Sequence, residues 1–115
     1  MTVIMGSVSD VDAGAPPAGC VTRPVRLFLK ALASEGRQQA MMLFAGGAEL
    51  SVGEVAARLG TGQSTASQQL AMLREGGLLS ARREGKTVWY RADQAGIAAA
   101  LGELQDCLRA CYPPR

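Results

Sequence analysis

Val25, Phe28, Leu29 and Leu32 recur at three- and four-residue intervals, which predicts a first helix over 24–33 with Pro24 in its opening turn. Ser34 is placed to cap a second helix that carries Ala40, Met41, Leu43 and Phe44 and is halted by Gly46-Gly47. Ser51, with Glu54 three residues on, has the spacing of a capping box, and Val52, Val55 and Leu59 line the inner face of a third helix that Gly60 ends. Beyond Gly60-Thr61-Gly62, Ala66, Leu70 and Leu73 fall at i, i+4 and i+7 and mark the buried stripe of a fourth helix. Two β-prone runs follow, 78–83 and 87–91, joined through Glu84-Gly85-Lys86 as a hairpin. Trp89 and Tyr90 then point to opposite faces, and one of them is expected to anchor the hairpin to the core. A last helix over 94–111 repeats Ile97, Leu101, Leu104, Leu108 and Cys111 at 4-3-4-3 spacing and stops at Pro113-Pro114. Residues 1–19, rich in Gly, Ser, Ala and Pro, read as a mobile tail, leaving 20–115 as a single domain, mainly α with a small β-hairpin.

The polar positions of the fourth helix are as informative as its apolar ones. Gln63, Ser64, Thr65, Ser67, Gln68 and Gln69 crowd its opening turns with short hydrogen-bonding side chains, where a helix made only for solubility would carry more Glu and Lys. Amides and hydroxyls at a helix start can donate and accept at base edges and phosphates in a major groove. Two helices joined by a short glycine-containing turn, the second polar at its start, form the helix-turn-helix pattern, and a basic hairpin behind it makes a wing. Charge agrees locally. The chain carries a formal +2, but between 58 and 91 Arg58, Arg74, Arg82, Arg83, Lys86 and Arg91 meet only Glu75 and Glu84. Such a patch suits phosphates, with Arg74, Arg82, Arg83 and Lys86 as its expected contacts, although a merely solvated charged surface has the same composition.

Composition narrows the remaining classes. The 48% of hydrophobic residues can fill a small core, and with aromatics at 4% the packing falls to Leu, Ala, Val and Met. The absence of histidine excludes imidazole general bases and imidazole metal sites. With no nucleophile–base set and no glycine-rich phosphate loop, an enzyme is not expected, nor an organic cofactor. No apolar run approaches the roughly 20 residues of a membrane span, and the first residues lack a secretory pattern, so a cytoplasmic protein without a membrane role is expected. Three cysteines, an odd number, fit reactive or metal-binding thiols in a reducing compartment better than a disulfide scaffold.

In combination, Ala31-Leu32-Ala33-Ser34 with Gly36-Arg37, Leu50-Ser51-Val52-Gly53-Glu54-Val55, Ser64-Thr65-Ala66-Ser67-Gln68-Gln69-Leu70 and Arg82-Arg83-Glu84-Gly85-Lys86-Thr87-Val88-Trp89-Tyr90 resemble an ArsR/SmtB winged-helix repressor over about 25–111. The resemblance implies the order α1-α2-α3-α4-β-β-α5 and a homodimer formed through α1 and α5. Phe28, Leu32, Ile97, Leu101, Leu104 and Leu108 would line that interface. It also implies double-stranded operator DNA as partner, with release when an inducer binds. The helix-3 motif that holds thiols in many metal sensors of the family has none here, and Met42 stands where the reactive-sulfur branch has a helix-2 cysteine.

Sensing is therefore expected to fall on Cys107, Cys111 and Cys20. Cys107 and Cys111 lie one turn apart on the last helix, where they could simply fill a tight interface. As thiolates they would suit a soft ion, and a trivalent metalloid, arsenite or antimonite, fits two or three sulfurs better than zinc fits a chain without histidine. Cys20 would supply a third sulfur. A direct Cys107–Cys111 bond is disfavoured, because parallel Cβ vectors at i, i+4 do not give the torsion a disulfide prefers. Two alternatives stand beside the metalloid: a repressor answering reactive sulfur or oxidants, with Cys20 paired to Cys107 or Cys111, and a helical interaction module with no DNA role.

Overall fold

The structure, a computed structural model, describes residues 21–114. The proposed tail at 1–19 and Cys20 lie outside the described residues. Helix α1 spans Arg23–Leu32, begins at Thr22, whose hydroxyl accepts from the Val25 N–H, and buries Val25, Phe28 and Ala31. Helix α2, Glu35–Met42, is capped by Ser34. Two of its side chains reach back to α1: Arg37 donates to the carbonyls of Ala31 at 2.8 Å and Lys30 at 3.0 Å, and Gln38 to that of Leu32 at 2.7 Å. The last carbonyls of α1 are thereby satisfied by the next helix, which fixes the angle between the two.

Helix α2 ends earlier than its apolar spacing predicts. Leu43 and Phe44 leave it for a 3-10 turn at Ala45–Gly47, yet Phe44 stays buried. Strand β1, Leu50–Ser51, is the element the pattern does not announce. It pairs antiparallel with the hairpin strand β3, Thr87–Ala92, which pairs in turn with β2, Leu79–Glu84, giving a three-stranded sheet in the order β1-β3-β2 rather than a lone hairpin. Two residues are too few to show alternation, so only the partner strand reveals them. Tyr90 is the aromatic that packs on the core, together with Ala92.

Helix α3, Val52–Leu59, starts at Ser51 with both arms of the capping box formed and ends at Gly60 in the left-handed region, φ 69°. Helix α4, Gln63–Glu75, follows, and α5, Gln94–Cys111, is capped by Asp93. Ala66, Leu70 and Leu73 of α4 have no exposed surface and lie in one cluster with Phe28, Ala31, Ala40, Phe44, Leu50, Val55, Leu78, Leu79 and Ala100. Helix α4 is thus the centre on which the other elements pack.

Within the protomer the last helix buries its small residues. Ala100 and Cys107, seven residues apart, are its buried positions, while Leu101 and Leu108 are half exposed. Small side chains let α5 approach α1 closely and leave the large ones outside. Phe28, expected at a subunit interface, is a protomer core residue at 3% exposure, and Leu32 and Ile97 are partly buried against that core. Leu104 is half-buried. Among the described residues, the exposed large apolar side chains are the expected Leu101 and Leu108 together with Val21, Leu29, Met42 and Tyr112.

Gly76, after α4, shows how closely α1 approaches. A Cβ there would stand 2.8 Å from the Ala31 methyl and 2.9 Å from the Leu27 carbonyl oxygen. Gly76→Ala should therefore destabilise the fold by about 1–3 kcal/mol in urea unfolding, whereas a neutral result would show that α1 is free to move away.

Candidate nucleic-acid interface

Because Ala66, Leu70 and Leu73 face inward, the opposite side of α4 is fixed facing out. Gln63, Ser64, Thr65, Ser67 and Gln68 are all exposed on it. The helix opens at Gly62 with no side-chain cap and no acidic residue in its first turn, so its N–H groups and dipole are open to an anion. Gln63 lies back toward α3, its amide nitrogen 3.4 Å from where a Cβ on Gly53 would be.

Gln69 does not join this surface. It is half-buried, its Nε2 lies 3.0 Å from the Cβ position of Gly36 in α2, and its Oε1 is buried with no hydrogen-bond partner among the described residues. The sequence held the signal: Ala66, Gln69, Leu70 and Leu73 stand at i, i+3, i+4 and i+7, so Gln69 lies on the edge of the buried stripe. Arg74 is exposed but eleven residues along α4 from Gln63, about 16 Å of helix rise. The structure does not bring it to the amide cluster.

In the wing, the register puts Ser80, Arg82 and Glu84 on one face with Arg91, Trp89 and Thr87, and Leu79 and Ala81 on the other with Ala92 and Tyr90. The hairpin turns through Gly85-Lys86, and Arg83 and Lys86 are exposed near its tip with no ion pair among the described residues. Arg82, expected to be an open phosphate contact, is occupied. It grips Glu49 with two hydrogen bonds, Nε to Oε2 at 2.7 Å and an Nη to Oε1 at 2.8 Å, and lies 3.4 Å from Glu84. The hydrogen bond from Arg82 holds the Glu49 carboxyl below its ordinary value of 4.5, with the positive charges of Arg82 and Arg91 adding to it. The same bond raises the pKa of Arg82. Sequence reasoning missed Glu49, because its approach to the wing depends on β1.

The cysteines are separated by environment. Cys107 is buried at 9% exposure and held in a disulfide bond. Cys111, the last residue of α5, is half-buried. Among the described residues no three His, Cys, Asp or Glu side chains converge as a metal would require. A sulfur in a disulfide offers no thiolate, so a metalloid would have to meet Cys107 in its reduced form.

A polar helix with no acid in its first turn, held outward by a buried stripe, with a tight turn before it and a three-stranded wing behind it, defines a winged helix-turn-helix DNA-binding domain. Residues 34–81 match the family described as bacterial regulatory proteins of the arsR family. The chain is 41% identical over 75 residues to the transcriptional activator HlyU of Vibrio cholerae, a match covering 65% of this chain and 68% of that protein. It is 38% identical over 84 residues to the biofilm growth-associated repressor of Xylella fastidiosa, covering 73% and 63%. The matched span is thus about two thirds of these relatives' own length. Among solved structures, the homodimeric winged helix-turn-helix DNA-binding domain of a possible ArsR-family regulator from Mycobacterium bovis superimposes with a TM-score of 0.63 at 33% identity, over 83% of this chain and 88% of that one. Reduced HlyU from Vibrio cholerae gives 0.56 at 36% identity, over 79% and 90%. The chain belongs to the arsR family of bacterial transcriptional regulators. Among the described residues, no helix is long and apolar enough to cross a membrane.

The ion pair has a pH signature. Glu49 stabilises the fold above 4.5 and stops doing so as the pH falls through its lowered native value. Thermal unfolding should therefore show an advantage of the native chain over Arg82→Ala that is present above pH 4.5 and shrinks in acid. An advantage unchanged into strong acid would place the effect of Arg82 elsewhere.

Proposed function

We propose that this chain is a dimeric repressor that binds operator DNA through α4 and the wing and is released by a change in the state of its cysteines. The observation that carries the DNA half is the outward face of α4, where Ser64, Thr65, Ser67 and Gln68 are exposed on a helix with no acid in its first turn, with Arg83 and Lys86 exposed on the wing. Hydroxyls and amides read base edges, and the wing cations meet phosphates. The dimer half rests on the apolar residues left outside on α1 and α5, and on the homodimeric state of the Mycobacterium bovis domain. Two copies joined there would set two α4 helices about one DNA turn apart, roughly 34 Å.

For the signal, the disulfide at Cys107 favours a thiol-oxidation switch over the metalloid. Two thiols closing to a disulfide release two protons and two electrons to an oxidant such as a peroxide or polysulfide. The chain has three cysteines, and helix geometry disfavours a bond to Cys111, so Cys20 is the partner we assign within one chain. A mechanical route to α4 exists. Cys107 lies on α5, which packs on α1; α1 is bonded to α2 through Arg37 and Gln38, and the Gln69 amide lies 3.0 Å from where a Cβ on Gly36 of α2 would stand. Arsenite or antimonite would compete for Cys107 and Cys111 only in the reduced chain, where both can become thiolates one turn apart.

Binding of a duplex from the chain's own promoter, followed by fluorescence anisotropy, tests both halves. Oxidation by polysulfide should weaken binding about five- to 150-fold, the span of ordinary allosteric coupling, and Cys107→Ser should abolish the response. Equal binding by the oxidised and reduced chain, with release by arsenite alone, would reverse the choice of signal. Failure of either form to bind would remove the DNA half.

A further inference from the structure

Arg82 is the wing cation with the most elaborate local environment, and its occupant is an acid from outside the hairpin. Glu49 immediately precedes β1, whose residues Leu50 and Ser51 pair with Tyr90 and Trp89, so the sheet carries its carboxylate to the outer face of the wing. There it meets the guanidinium fork with two short hydrogen bonds, the geometry with which arginine also holds a phosphate. The two side chains keep 50% and 29% of their surface, so the pair can open without disturbing the core. Arg91, on the same face, adds a second cation in Coulomb reach of the same carboxylate. Among the described residues, Arg83 and Lys86 have no such acid.

Resting on the DNA-binding role above, we propose that Glu49 is an internal stand-in for a DNA phosphate, holding Arg82 until a duplex seated against the wing replaces it. The wing then has two kinds of cation. Arg83 and Lys86 attract any duplex, whereas Arg82 is given only to one that lies close enough to displace Glu49. Such an exchange lowers affinity for every duplex that docks shallowly and so widens the gap between operator and random DNA.

Salt titrations of binding to a random-sequence duplex and to the chain's own promoter duplex test the exchange. The proteins are the native chain, Glu49→Gln, Arg82→Ala and the double variant, each first shown by thermal melting to be folded. Glu49→Gln should bind random duplex about two- to fivefold more tightly at low salt, the strength of an exposed ion pair. Its plot of log affinity against log salt should steepen by about 0.9, one further phosphate contact. In the Arg82→Ala background the same change should do nothing. Unchanged affinity and slope for a folded Glu49→Gln would overturn the proposal, with Glu49→Ala as the second variant. An equal gain in the Arg82→Ala background would overturn it too, by showing that Glu49 acts as a diffuse charge. If the native chain binds neither duplex, the DNA-binding role itself fails, and that result is distinct from both.

Discussion

Three side chains on one helix, Ala66, Leu70 and Leu73, have no exposed surface, and the orientation of the whole domain follows from their burial. Each leucine buried in this way is worth about 1.5–3 kcal/mol, a large share of a small domain's stability. Helix α4 cannot rotate without lifting both from the cluster they share with α1, α2, α3 and the start of β2. Its polar face is therefore presented rather than merely exposed. A recognition surface needs that property, because base edges discriminate only against groups held at fixed positions. The neighbouring helices are tied to the same frame by polar contacts: the capping box on α3, and the Arg37 and Gln38 bonds that close the end of α1.

Periodicity and capping chemistry made most of this legible in the sequence. The apolar spacing of Val25 and Phe28, of Val55 and of Leu70 and Leu73 located the helices around the core, and Ser51 with Glu54 marked the start of α3. Other features depended on distant partners. A two-residue strand has no pattern of its own, so β1 emerged only with Trp89 and Tyr90 beside it. Without β1, Glu49 could not be placed next to Arg82. On α5 the 4-3-4-3 spacing placed Leu101, Leu104 and Leu108 at a subunit interface, and within the protomer Leu101 and Leu108 stay exposed while Ala100 and Cys107 are buried. Gln69 was assigned by residue type to the DNA surface, although its position relative to Ala66 and Leu73 sets it on the buried edge.

The wing is equally conditioned by its surroundings. Counting cations gave a basic patch, but charge counts do not say which cations are engaged. Arg82 is bonded to Glu49 and lies near Glu84, while Arg83 and Lys86 are exposed near the tip with no ion pair among the described residues. The same holds for the sulfurs: one turn of helix separates Cys107 from Cys111 in sequence, but burial and bonding make them different groups. Membership of the arsR family fixes the kind of regulator, and the signal it answers is decided by local chemistry of this sort.

The outward face of α4 is the centre of the account, and backbone amide NMR of the native chain titrated with its promoter duplex examines it directly. Resonances of Ser64, Thr65, Ser67 and Gln68 should shift or broaden first, together with those of Arg83 to Lys86 in the wing. Those of the α5 end should respond weakly. Perturbations that spare α4 and gather on another face would contradict the account, as would a spectrum that the duplex leaves unchanged.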